Sequence, residues 1–538
     1  MNIAVVGSGF SGIAVAHALA ARGVNVTILD VGEMLDVRRA SIVAKLRDLP
    51  TNAWPPEDFR LLDENPTLGR HMLPKKVHFG SEYIYANDRS FAPTISGSSK
   101  RLPYPTFAKA GYSNIWGAAV LAPDSCDTTD WPVSRSEMEP YYREAAKLIP
   151  LSGGEGTLDA AFPAYKDRLG DIDPGPQGSA LLQDMRRVSA RLSEHGILYG
   201  RARLAIHTED APGALACNGC GFCFTGCVRG SIFSTEPLLD ELVKNKRATY
   251  QAGAFVESLD ETDGGVRITT VDTATGARRE IMFDGVFLAA GPINTTRILL
   301  RSKKLFDHVV TLKESQKFVV PILRYKADDT AIEHPSVTMA SVFIEAKFKD
   351  VSDHWTHIQV IPMNALMLKG MPVPGIRSKA GQLFGKPLLR RLMAAWCGMH
   401  SDQSSSVELR LLVPDASGRS TLEIDVRRSE SARAAARRVA RNLFREGLSF
   451  NSVFMYPAIQ FSEPGSGTHC GSSFPMRERP NDLLDTDTLG RPFGWSRVFA
   501  VDASVLPSIP GTTLAFSAMA NACRIGALAP LEELASTT

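Results

Sequence analysis

The sequence predicts a Rossmann-like α/β domain joined to a second domain of α+β type built on an antiparallel sheet. Three observations carry this reading. A βαβ unit opens the chain around a glycine-rich turn, an apolar strand over 280–289 ends in Ala-Ala-Gly, and strand-like segments follow one another between about 310 and 425. At 538 residues the chain exceeds the size of a single hydrophobic core, so two packed domains are expected. With 44% hydrophobic and 22% charged residues it is an ordinary globular composition. Sixty Lys and Arg against 58 Asp and Glu leave a net charge of +2, which gives no field to recruit nucleic acid.

The opening unit reads as a buried strand over 3–7, a small-residue helix over 11–22 and a second strand over 24–30. Its turn, Gly7-Ser8-Gly9-Phe10-Ser11-Gly12, is a G-x-G-x-x-G, and Asp30 ends the next strand. The first glycine makes the tight turn, the second admits a pyrophosphate, and the third lets helix and strand pack closely. Asp30 would accept ribose hydroxyls and repel a 2′-phosphate, so a dinucleotide other than NADP is expected, with a purely structural turn as the alternative. From Asp36 to about Gly111 the chain reads as irregular. A helix over 135–147 is expected next, with Ser134 as N-cap and Glu137 closing a capping box. Strands are expected at 248–257, 265–271, 280–289 and 497–501, and a last helix at 513–529. No charged leader precedes Ile3 and no stretch of about 18 apolar residues occurs, so a cytoplasmic protein is expected.

Three segments together resemble the glucose-methanol-choline oxidoreductase family of FAD enzymes. They are the N-terminal fingerprint, the run Phe287-Leu288-Ala289-Ala290-Gly291-Pro292 with its continuation to Leu299, and the block from Thr468 to Arg524. The layout is closest to sugar dehydrogenases with a cysteine-rich loop. The resemblance implies an FAD-binding domain from 1–35, 100–120, 215–310 and 465–538. It implies a substrate domain from 121–214 and 311–464, with the cysteine-rich loop at 215–235. It also implies cofactor contacts from Gly7, Ser8, Gly9, Phe10, Ser11, Gly12, Asp30, Asn114, Val256, Ala290, Asp502, Ala503, Thr513 and Leu514.

Oxidising a hydroxyl requires a base for its proton, and an imidazole suits that task near neutral pH. His469, in Thr468-His469-Cys470-Gly471, matches the family histidine that faces the flavin. The family's second active-site residue, a His or Asn, falls here at Gly511 or Thr513. The usual pair is therefore broken, and water, Thr512 or a group from the second domain is expected to work with His469.

Cys217-x2-Cys220-x2-Cys223-x3-Cys227 has the spacing of a bacterial ferredoxin run, so an iron-sulfur cluster of 3Fe-4S or 4Fe-4S type is expected. Reduced structural thiols and zinc are the alternatives. The other four cysteines read as core residues. Arg433, Arg437, Arg441 and Arg445 recur every four residues, reading as a solvated helix face or as a docking site for an electron-acceptor protein. Lys379–Trp396 reads as a lid helix, with contact to a membrane surface the lesser alternative. The resulting expectation is an FAD-dependent dehydrogenase for a small-molecule sugar, polyol or alcohol. An oxidase, an epimerase working by internal redox and a non-catalytic electron-transfer subunit are its alternatives.

Overall fold

The computed structural model describes residues 1–64, 76–85, 89–97, 105–327, 337–362, 388–416 and 418–535. The predicted βαβ unit is present as strand Ile3–Val6, helix Phe10–Ala21 and strand Val26–Leu29. Five parallel strands form the Rossmann-like sheet in the order 498–500, 285–288, 3–6, 26–29, 248–251. Both central strands are buried along their whole length, as near-continuous apolar runs in a doubly covered parallel sheet must be. Ser134 and Glu137 form the expected capping box of helix Arg135–Leu148.

An eight-stranded sheet, with antiparallel pairing along its length, makes the second layer, and strands Lys317–Arg324, Leu392–Gly398 and Thr356–Pro362 lie side by side near its middle. Helices Gly175–Arg187 and Glu430–Gly447 cover one face, so residues such as Phe318, Val320, Ile358 and Val439 share a core. The alternate residues of those strands face the opposite way, toward the Rossmann-like sheet. A separate five-stranded sheet contains Val309–Glu314, Ser406–Leu411 and Thr421–Arg427, and its apolar face joins the core of the Rossmann-like side.

Several expectations are corrected. The region after Asp36 holds helices Val37–Leu46 and Pro56–Asp63 rather than only irregular chain. The strands read at 248–257 and 280–289 are each two strands, because 254–262 and 278–283 belong to a three-stranded sheet of their own. The lid helix read over 379–396 is overturned at its end: Leu392–Gly398 is a strand paired on both sides, while 379–387 lie outside the described residues. The arginine-rich helix keeps its solvated face, with Arg437, Arg441 and Arg445 exposed, and there Arg433 and Arg437 lie over the ring of Phe461 and Arg441 over that of Tyr456. Among the described residues no helix is long and apolar enough to cross a membrane.

Candidate active site

A cavity of about 470 Å³ runs between the Rossmann-like sheet and the inner face of the eight-stranded sheet. At one end Gly7, Ser8, Gly9, Phe10, Ser11 and Asp30 line it. A Cβ at Gly9 would meet no atom within 4 Å, whereas one at Gly12 would strike the carbonyl of Gly7. Gly9 therefore leaves room for a ligand, and Gly12 serves helix–strand packing outside the lining, the division of labour the fingerprint requires.

Helix Phe10–Ala21 has no side-chain cap and no acidic residue in its first turn, and the same holds for helix Leu514–Leu528. The starts of both open on this cavity, leaving backbone N–H groups and positive dipole ends for anionic groups. Two uncapped helix starts and the open space at Gly9 fit a dinucleotide. The Asp30 carboxylate accepts from Ser8 Oγ, which itself accepts from the Ala110 amide at 2.8 Å. Burial pushes the Asp30 carboxyl up to about 6 against the pull of these hydrogen bonds.

Val256, Ala290, Asp502, Ala503, Thr513 and Leu514 also line the cavity. The Val256 carbonyl accepts from buried Arg297 at 2.7 Å, and Asp502 accepts from Thr295 Oγ1 at 2.6 Å. Asn114 and Thr512 are not in the lining. The Asn114 amide donates to the Lys109 carbonyl at 2.8 Å, and Thr512 is buried with its hydroxyl unpartnered.

His469 lies at the other end, beside Cys470 and opposite the inner face of the eight-stranded sheet. Its Nδ1 is buried without a partner. Burial first, then the ammonium of Lys317 and electrostatic interaction with His357, hold its pKa well below the ordinary imidazole range, so the ring is neutral and free to accept a proton. The facing row carries groups that no sequence motif marks. Glu345 accepts from His357 Nδ1 at 2.6 Å, and Gln359 Nε2 donates to His357 Nε2 at 3.1 Å. That chain leaves the Gln359 carbonyl oxygen for a ligand in the cavity it lines.

The two positions at which the family's second active-site residue falls offer His469 no free side chain. A Cβ at Gly511 would stand 2.8 Å from the Gly398 carbonyl oxygen and 2.9 Å from that of Trp355. The Thr513 hydroxyl is taken by both the amide and the carbonyl of Leu121, at 2.8 and 3.1 Å.

The four clustered cysteines, all free thiols, lie beside the cavity and outside its lining. Cys217 and Cys220 each interact electrostatically with Cys223 and Cys227, so the four thiols are neighbours in the fold, and burial pushes the pKa of Cys217, Cys220 and Cys223 up. Cys227 Sγ accepts from the amides of Ser231 and Ile232 at 3.1 and 3.4 Å. Among the described residues, the one group of three or more metal-ligating side chains that converges within 4.8 Å is His354, His400 and Asp402, so the four thiols do not close on one zinc-sized point.

Comparison with known proteins agrees with this architecture. Residues 5–42 match the NAD(P)-binding Rossmann-like domain. The chain is 27% identical over 309 residues to 2-methyl-1,2-propanediol dehydrogenase of Mycolicibacterium austroafricanum, covering 56% of this chain and 50% of that protein. It thus spans about half the length of that curated relative. Its fold is similar to that of pyridoxine 4-oxidase from Mesorbium loti, with a TM-score of 0.59, 13% identity and 98% of each chain covered.

Proposed function

We propose that this chain, which has the fold of the glucose-methanol-choline oxidoreductases, is an FAD-dependent oxidoreductase that acts on a CH–OH group of a small alcohol, polyol or sugar. The observation that carries this reading is His469: a half-buried, neutral imidazole whose buried Nδ1 has no partner, in a cavity that it shares with a dinucleotide-fitting glycine turn. The names of both similar proteins, an alcohol dehydrogenase and an alcohol-type oxidase, support the same class.

FAD in the cavity would supply a two-electron acceptor for the hydrogen on the carbinol carbon. Ser8–Gly12 and the start of helix Leu514–Leu528 would hold its pyrophosphate, Asp30 its ribose hydroxyls, and Val256 its adenine. His469 takes the hydroxyl proton, a role for which its depressed basicity keeps it unprotonated. Gln359, pinned by His357, orients the substrate by accepting a hydrogen bond from a second hydroxyl. We favour a dehydrogenase over an oxidase, passing electrons to an acceptor protein. Anaerobic spectra of purified protein with candidate alcohols and sugars test this. Flavin bands that bleach with one of them support it, and colourless protein that takes up no FAD contradicts it.

A second reading concerns Cys217, Cys220, Cys223 and Cys227, proposed here as ligands of an iron-sulfur cluster. The two amide hydrogen bonds to Cys227 Sγ support it, since such bonds tune cluster sulfurs. Iron and acid-labile sulfide per chain, measured in anaerobic protein, decide it: near-zero values reduce the run to structural thiols.

A further inference from the structure

The broken active-site pair has a replacement on the facing sheet. Strand Leu392–Gly398 is flanked by the strands that carry Lys317 and His357, and the register sets both residues directly across from Gly398, one on each side. With no side chain at Gly398, the backbone at Gly511 comes down onto the sheet. The same packing that bars a side chain at Gly511 therefore places Lys317 and His357 around the spot such a side chain would have occupied. Both act electrostatically on His469.

Of the two, His357 is committed, with Glu345 on one ring nitrogen and Gln359 on the other. Among the described residues, three cations line the cavity. Lys76 donates to the Trp116 carbonyl at 2.7 Å, and Arg297 donates to the carbonyls of Val256 and Glu257. The Lys317 ammonium makes no hydrogen bond or ion pair with any described residue, although Glu314 stands within electrostatic reach. An ammonium lining an apolar cavity without a hydrogen-bond partner is costly unless a ligand completes it.

We propose that Lys317 is the second active-site residue, its ammonium donating a hydrogen bond to the substrate's hydroxyl oxygen while His469 takes that oxygen's proton. The proposal rests on the oxidoreductase reading above. In the reaction the O–H bond breaks with its proton passing to His469. The carbinol hydrogen would leave with its electron pair as hydride to the bound FAD, and the C=O bond forms. Lys317 keeps its proton throughout and stabilises the negative charge that gathers on oxygen. Burial holds the Lys317 pKa down to about 8, against the opposing charge of Glu314, so the donor form prevails at neutral pH. The titratable groups that face it are Glu314, itself pushed up to about 7, His469 and, across Gly398, His357.

The test compares FAD-loaded wild type with Lys317→Met and Lys317→Arg. Stopped-flow flavin bleaching is followed without oxygen, using an alcohol that reduces the wild type. Lys317→Met is expected to keep its FAD and slow reduction by roughly 100- to 1000-fold, the usual loss on removing one oxyanion donor. Lys317→Arg should recover part of the rate. Above pH about 8 the wild-type rate should fall as the ammonium deprotonates, and Lys317→Met should lack that limb. A Lys317→Met rate equal to wild type overturns the proposal and leaves the oxidoreductase reading standing. A wild type that no alcohol reduces overturns that reading instead, and acetate titrated against the flavin absorbance then tests Lys317 alone. A spectral shift lost in Lys317→Met upholds it as the cavity's oxyanion-recognising group, and a shift unchanged by the substitution overturns it.

Discussion

Gly511 and Gly398 pack backbone against backbone, each with its carbonyl oxygen within 3 Å of where the other's Cβ would stand, at 2.8 and 2.6 Å. This contact joins the entry of the last helix to the middle of the substrate-side sheet. Gly511→Asn, the substitution that would restore the usual family pair, must push the two apart. It is expected to lower stability by about 1–3 kcal/mol, the range for overpacking a tight site, and to leave the rate of flavin reduction no higher than wild type. Thermal melts and stopped-flow reduction check both parts; a stable variant with a faster rate would mean that position 511 has room for the missing side chain.

Asp30 makes FAD binding depend on pH. Its carboxyl in the ligand-free protein is raised to about 6, so the folded chain holds a proton between about pH 4 and 6 that the unfolded chain has lost. That contribution to stability is present at low pH and is lost as pH rises through about 6. Ribose hydroxyls need the carboxylate, so binding below that point must first expel the proton. FAD affinity of the ligand-free protein should rise between pH 5 and 7 and level off above. Asp30→Asn should bind about tenfold or more weakly, with a flat profile. Fluorescence titrations give both curves, and a wild-type affinity constant across this window would remove Asp30 from the ribose site.

The Glu345–His357–Gln359 chain predicts a division between binding and chemistry. Gln359→Leu keeps the side-chain volume and removes the acceptor that faces the cavity, so KM for a polyol or sugar should rise roughly 10-fold while the limiting reduction rate changes little, the signature of lost uniform binding. Steady-state and single-turnover kinetics separate the two constants. A fall in the limiting rate with KM unchanged would place Gln359 in the chemical step instead.

Local signals were legible in the sequence and long-range ones were not. The Gly7–Gly12 turn, the Ser134–Glu137 capping box and the small-residue helix before the C-terminus each announce themselves within a few residues, and each is present. Helix Val37–Leu46 packs Ile42, Val43 and Leu46 on a small cluster with Leu62 and Phe79, an apolar stripe of little more than one turn and so a weak local signal. Residues 392–398 pass for part of an amphipathic helix because Leu392, Met393 and Trp396 also fit a spacing of three to four. Pairing with 317–324 and 356–362 overrides that pattern. In the same way Lys317, His357 and Gln359 belong to no motif, and strand register across Gly398 brings two of them opposite His469. The cysteine run was visible by spacing alone; that the Cys227 sulfur accepts from the amides of Ser231 and Ile232 required the fold.

The most direct measurement on the central claim is anaerobic flavin reduction in His469→Gln against wild type, across pH 5 to 8. The account predicts that the variant retains FAD and is reduced roughly 100- to 10,000-fold more slowly, the share of a general base. Because burial and the neighbouring Lys317 ammonium depress its pKa, the wild-type rate should not begin to fall until pH drops below the ordinary imidazole range. A variant reduced as fast as wild type at every pH would contradict the assignment of His469 as the base.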